Sequence, residues 1–477
     1  MKPGMKAVFV LVTFYAVTLQ AANVIGYFTN WGIYGEQPYT ARDIPYKNLT
    51  HIQYAFLKPE SDGRVTSFDE YADEQILLGE MVWSPKEYHD STTSLIYLAH
   101  KNNVKVLASI GGWTGSDNFP ALAGSAATRS NFCSNVRALV EQYGFDGVDI
   151  DWEFPCYEEH GGTANDAQNF VLLLAELRDT LDAMSGDKKL ITLAIPGGSY
   201  HGKNFLVEQF HHDVDYISIM TYDYTGEWST YAWHNSPLYD YGSDENWSLN
   251  RAMEYYLQRG VPASKLNIGM AFYGKSFTGC QGPNQPFTGS GQSSINYSVL
   301  VSKIESGEYT RYWDETAMVP YCLSSTNEYF SFDDTLSIGL KAEYCMEKGF
   351  GGAIIWELKA GRLSDGTQPL LSTAASILMS GVSVKKEKPR TMDNLEALQV
   401  IYCTSGPRFR LRTEESKGIS FAIYELSGRT VLKGNIFSST ANYQFSIPGT
   451  ETLHCGKYLL RIDTGDKKYH TRFSIIK

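Results

Sequence analysis

Eight short apolar runs, separated by amphipathic stretches, constrain this chain more than any other feature. They are NVIGYFTNW (23–31), HIQYAFLK (51–58), VKVLASIGGW (104–113), FDGVDIDWEF (145–154), KLITLAIPGG (189–198), VDYISIMTYDY (214–224), KLNIGMAFYGKSF (265–277) and GGAIIWEL (351–358). Between them, RSNFCSNVRALVEQYG (129–144), NDAQNFVLLLAELRDTLDAM (165–184) and SLNRAMEYYLQRG (248–260) carry apolar residues at helical spacing. Eight strands alternating with helices over about 350 residues point to an α/β fold, a (β/α)8 TIM barrel. An open doubly wound sheet is the other solution, but no GxGxxG follows the first run.

At 477 residues the chain exceeds one ordinary core, and its charge divides it. Residues 380–477 hold 16 basic and 9 acidic side chains, a net of +7, against −19 for the remainder. Two folding units are implied. Within the first, the 75 residues of 276–350 separate the seventh run from the eighth. They contain strand-like pieces such as EYFSFDD and are expected to form a small α+β insertion walling one side of the barrel mouth. The barrel is expected over 23–379, a polar, basic linker over 380–399, and an all-β sandwich of six or seven strands over 400–477. A Cys403–Cys455 bridge would fit that sandwich.

Residues 1–22 read as a secretory signal peptide: Lys2 and Lys6, a 13-residue apolar run, then QAA. The run is too short to span a bilayer, and no later one approaches the length needed. The mature chain is therefore expected to be secreted or at the cell surface, without a transmembrane segment; an uncleaved anchor is the other reading. The acidic main body argues against nucleic acid as a partner. Histidines and cysteines show no metal-ligand spacing, so neither a metal nor a cofactor is implied, and His211 and His212 read as an exposed loop pair.

The fourth run poses the chemical question. In FDGVDIDWEFP, Asp149, Asp151 and Glu153 alternate with Val148, Ile150 and Trp152. Side chains of a strand point alternately to opposite faces, so the acids share one face. In a barrel the apolar set packs outward under the helices. The acids then point inward at the strand's carboxyl end, where barrel enzymes do their chemistry. Three carboxyls about 7 Å or less apart cannot all ionise cheaply in a half-dry site, so at least one holds its proton near neutral pH. A general acid needs that state, and Glu153, outermost and longest, is the natural donor. A calcium loop is the competing reading of DxDxE. The bulky intervening residues, and Phe154 where such a loop wants glycine, argue against it.

These residues resemble the signature of glycoside hydrolase family 18, the chitinases. DxxDxDxE is matched by Asp146, Asp149, Asp151 and Glu153, and SxGG by Ser109, Gly111 and Gly112 at the end of the third run. MxYD is matched by Met220, Tyr222 and Asp223 in the sixth, and the expected tryptophan, Trp356, ends the eighth. The long seventh-to-eighth connection is similar to the family's insertion domain. The resemblance spans roughly residues 23–379. It implies hydrolysis of β-1,4-linked N-acetylglucosamine in chitin or its oligomers, with retention of configuration and no cofactor.

It also implies that the substrate's own acetamido group is the nucleophile, where most glycosidases use a second carboxylate. Glu153 would protonate the departing oxygen, and Asp151 would hold the acetamido N–H. Asp149 would share a proton with Asp151, and Tyr222 would donate to the acetamido oxygen. Trp356 would floor the sugar site. Asp223, Met220, Tyr27, Ser109, Trp113 and Tyr273 would line it, while Asp146, Gly111 and Gly112 would be structural. One departure is visible: Tyr273, Gly274 and Lys275 stand where many members read YGR. Lysine keeps the charge and loses the planar fork.

Aromatic residues make up 13% of the chain, a surplus that suits concave sugar-binding surfaces. Trp31, Trp113, Trp228 and Trp233 lie at or after expected strand ends, where they would stack on sugar rings or pack in loops. Cys133, read as opening the helix before the fourth run, and Cys156, following that run, are expected within reach of a bridge. In the C-terminal unit, IYELSGRTVLKGNI and GKYLLRIDTGDKKYHTRFSIIK resemble a type IX secretion sorting domain. That implies outer-membrane secretion machinery as a partner for 400–477; a small carbohydrate-binding sandwich is the other reading. Two further functions are compatible with the barrel: an endo-β-N-acetylglucosaminidase on N-glycans, and a non-catalytic chitin-binding lectin. The insertion and the aromatic surplus favour the linear polymer over the first. An intact Glu153 disfavours the second.

Overall fold

Eight parallel strands close on themselves in the computed structural model, which describes residues 21–84, 86–242, 246–290, 294–380 and most of 398–475. They are β1 (Asn23–Thr29), β2 (His51–Pro59), β3 (Lys105–Gly111), β4 (Gly147–Asp151), β5 (Leu190–Pro196), β6 (Tyr216–Met220), β7 (Leu266–Ala271) and β8 (Gly352–Trp356). Each pairs with its neighbours in sequence, and β8 returns to β1, so the barrel leaves no open edge. These strands and their helices form a (β/α)8 barrel. Residues 1–20 and 381–397, on which most of the expected signal peptide and linker fall, lie outside the described residues, as does Cys455.

The strands are near-continuous apolar runs because both faces are covered, by the barrel interior and by the helices. Val148 and Ile150 of β4 lie wholly buried in the outer core with Trp152, which stacks on Phe119 with ring centroids 5.2 Å apart. Helix α1 (Ala126–Tyr143) starts where Ser125 Oγ accepts the Thr128 N–H and stops at Gly144, whose φ of 78° needs glycine.

That helix corrects one expectation. Cys133 lies eight residues into it rather than at its opening, about 10 Å along the axis from its start. It is buried beside Thr180 of α2 (Asp166–Asp182), whereas Cys156 sits in the loop after β4. Both are free thiols, so there is no Cys133–Cys156 bridge.

The connection from β7 to β8 carries its own sheet, from Tyr273–Thr278 through Glu328–Ser331 and Val319–Ser324 to Tyr309–Asp314. The long seventh run is therefore two strands: β7 ends at Ala271, and the insertion begins at Tyr273, earlier than the expected residue 276. It also ends earlier than 350, because helix α3 (Thr335–Lys348) packs on β8 and on helix α4 (Pro369–Leu378) as a barrel helix.

The loop after β6 is stitched into this insertion. Ala232 bridges Gln285, and the Asn235 N–H donates to Ser331 Oγ at 2.8 Å. His234 lies fully buried, with Nε2 2.9 Å from Asp314 Oδ2. Lys341 of α3 donates to Ser236 Oγ at 2.9 Å and to both oxygens of Asp333 at 2.6 Å.

Contacts divide the chain into a unit ending at Val384 and a second from Lys385 to Lys477. In the second, described strands form two antiparallel sheets. One runs Leu398–Cys403, Gly406–Arg412, Asn442–Ser446; the other runs Thr430–Ile436, Ile419–Glu425, Gly456–Asp463, Lys468–Ile475. Ile423, Leu460 and Ile462 are buried there.

Candidate active site

Register across the barrel puts three hydroxyls around one carboxyl. Asp149 of β4 lies level with Ser109 of β3 and Thr192 of β5. Its Oδ1 accepts from Thr192 at 2.6 Å, and its Oδ2 accepts from Ser109 at 2.8 Å and from Tyr27 of β1 at 2.9 Å. Complete burial raises the carboxyl above its usual range even against these three donors.

Asp151, the last residue of β4, is buried, and its Oδ1 has no hydrogen-bond partner. Burial first, then the neighbouring Glu153 and Asp149, hold its carboxyl well above the normal value. Glu153 lies beyond the strand, its N–H donating to Ser116 Oγ at 2.8 Å. Burial, and then the charge of Asp223, push Glu153 up to about 8. Near neutral pH it therefore carries a proton. Tyr222, buried and raised by burial and then by Asp151, keeps its phenolic proton.

Two glycines let the strands close around this cluster. At Gly111, φ is +114°, and a Cβ would stand 2.2 Å from the Asp151 carbonyl oxygen. At Gly112, with φ +73°, a Cβ would meet the Phe56 ring at 2.7 Å. Asp146 works at the opposite end of β4. Its Oδ2 accepts from the Val106 N–H and pairs with His100 Nε2, both at 2.8 Å, tying β4 to β3.

An aromatic cluster covers the β1–β8 side. Trp356 stacks on Phe56 at 5.7 Å and meets the edge of Tyr27 at 5.1 Å, with Trp31 alongside at 6.4 Å. Met220, Tyr222 and Tyr273 pack into the same cluster. On the insertion side, Asp223 adopts φ +59°, a left-handed conformation that Asp tolerates better than most residues. Its Oδ1 accepts from Tyr273 OH at 2.6 Å and lies 3.0 Å from Lys275 Nζ.

Trp31, Trp113 and Trp228 are exposed. Trp233 is not available as a platform: it is buried, with Nε1 donating to the Trp247 carbonyl at 3.1 Å. Sequence reasoning missed Thr192 and Gln53, which donates to Thr192 at 3.0 Å. Each is a lone polar residue within an apolar run, and that was the available signal. Ser116 and Phe56 had none.

A closed barrel whose interior holds a protonated acid above an unsatisfied carboxyl, rimmed by flat rings, suits the cleavage of a sugar chain. Residues 23–361 match the model of Glycosyl hydrolases family 18. Chitinase 1 of Aphanocladium album is 36% identical over 371 residues, covering 74% of this chain and 84% of that one. Among solved structures, the Ostrinia furnacalis Group IV chitinase in complex with allosamidin superposes with a TM-score of 0.68 at 28% identity, covering 76% of this chain and 99% of that one. Catalytic domain 2 of the Group II chitinase of the same insect, as an E2180L mutant in complex with a chitin oligomer, gives 0.67 at 27%, covering 75% and 96%. The chain belongs to glycoside hydrolase family 18.

Proposed function

We propose that this glycoside hydrolase is a secreted chitinase that cleaves β-1,4-N-acetylglucosamine linkages with the substrate's acetamido group as nucleophile. The unpartnered, buried Oδ1 of Asp151 carries the reading. A buried acceptor without a donor costs about 1–3 kcal/mol unless a ligand supplies one, and an acetamido N–H is such a donor. Held there, the acetamido carbonyl oxygen turns toward the anomeric carbon, with Tyr222 donating to it. Glu153 gives its proton to the glycosidic oxygen as the bond breaks and the carbonyl oxygen bonds to the anomeric carbon. Asp151, sharing a proton with Asp149, faces the positive charge on the resulting ring. Water then attacks, Glu153 takes back a proton, and the original anomeric configuration returns. Trp356 is the apolar floor, and Tyr27 and Ser109 hold Asp149. Relatives named as chitinases, and solved relatives bound to allosamidin or a chitin oligomer, support the substrate.

The test is the product anomer from N-acetylglucosamine oligomers, read by NMR, for wild type and Glu153→Gln. The β-anomer from wild type and near silence from the variant are expected. The inverted anomer would exclude acetamido participation, and an unchanged variant would exclude the donor. For export, residues 1–22 serve as signal and 400–477 as a sorting domain of the type IX kind. The apolar 7–19 run and the two antiparallel sheets among the described residues of the second unit support this. Deleting 400–477 should trap active enzyme inside the outer membrane.

A further inference from the structure

Lys275 is buried on the first strand of the insertion, where it faces Ser331. A lysine is seldom buried without a partner, and this one has two, both from the loop after β6. Its Nζ lies 3.0 Å from Asp223 Oδ1 and 5.2 Å from the ring centroid of the exposed Trp228, within cation–π range. Asp223 is in turn one of the charges that hold Glu153 up, after burial and alongside the neighbouring Asp151. We propose that Lys275 is a positioning residue that offsets the Asp223 charge beside the proton donor and seats the Trp228 ring. One ammonium group thereby ties the donor's electrostatic surroundings to an exposed aromatic ring beside the insertion. The inference rests on the reading of Glu153 as proton donor.

Lysine does both tasks with a point charge. Beside it, among the described residues, a cavity of about 40 Å³ is lined by Gly226, Glu227, Trp228, Phe277 and Ser290, space into which a larger cation could extend. Arginine at this position should therefore be accommodated with the charge retained. A neutral side chain should leave Asp223 uncompensated, making the negative form of Glu153 harder to reach.

The test is the pH profile of kcat/KM on an N-acetylglucosamine hexamer. Lys275→Met should move the alkaline limb upward by about half a pH unit or more, and Lys275→Arg should leave it in place. Lys275→Gln repeats the measurement with a polar side chain should Met destabilise the fold. A uniform loss at every pH in both neutral variants, or the same upward shift in Lys275→Arg, overturns the electrostatic part. For the seating of Trp228, Lys275→Met should raise hexamer KM several-fold in the wild-type background and less than about twofold in Trp228→Ala. Equal fold-changes in the two backgrounds overturn it. Glu153→Gln separates the two levels. If that variant stays active, the donor assignment fails. If it is silent while the alkaline limb of Lys275→Met does not move, only the role of Lys275 fails.

Discussion

Asp333, where the insertion rejoins the barrel, and Asp151, at the end of β4, are both buried carboxyls. Asp333 has its own cation: Lys341 donates to both of its oxygens at 2.6 Å, and Ser337 adds a third donor. Burial pushes Asp333 up, while Lys341 pulls it back. Around Asp151, burial, Glu153 and Asp149 all push the same way, and one oxygen is left without a donor. A paired acid spends its hydrogen bonds on holding the chain together. A cluster without a cation keeps a proton and an open acceptor, which are what a reaction can use.

The contrast can be broken by exchanging what each site lacks. Glu153→Gln keeps the shape of the donor and removes its transferable proton. Turnover of chitin oligomers should fall by about a hundredfold or more with the fold intact by circular dichroism. Lys341→Met should leave activity per folded molecule far less affected than stability. Stranding Asp333 should cost about 3–5 kcal/mol in urea unfolding, and Asp333→Asn on top should recover part of it. A loss under about 1 kcal/mol would mean that the pair is not a tether. Tyr27→Phe removes one of the three donors to Asp149, and kcat should fall about tenfold.

A further effect is thermal. Glu153 sits at about 8 in the folded chain, above the roughly 4.3 of an unfolded glutamic acid. The folded state thus binds more protons between those values, and stability is lost as pH rises through that window. Glu153→Gln should match the wild type in melting temperature at pH 4 and exceed it at pH 8. A lower value at pH 8 would contradict a donor held protonated by burial.

The barrel was legible because its strands are short, apolar and evenly interrupted, and the acid face because alternation in FDGVDID is strict. Alternation could not reveal that β4 stops at Asp151 and that Glu153 is held from another loop by Ser116. Periodicity also ran two strands together in KLNIGMAFYGKSF, since nothing apolar changes where the chain leaves the barrel at Phe272. The Cys133–Cys156 expectation failed on a helix start misplaced by three residues, which put a mid-helix thiol at the mouth. For Trp233 the alternative of loop packing holds. Its indole N–H finds a carbonyl from Trp247, a contact between loops that no local pattern encodes.

The bridge at Ala232, the Asn235–Ser331 bond and the His234–Asp314 contact fasten the insertion to the rim at three separate points. With those seams shut, the described part of the insertion stands as a fixed wall of the barrel unit, and a substitution in the loop after β6 would be felt in both sheets at once.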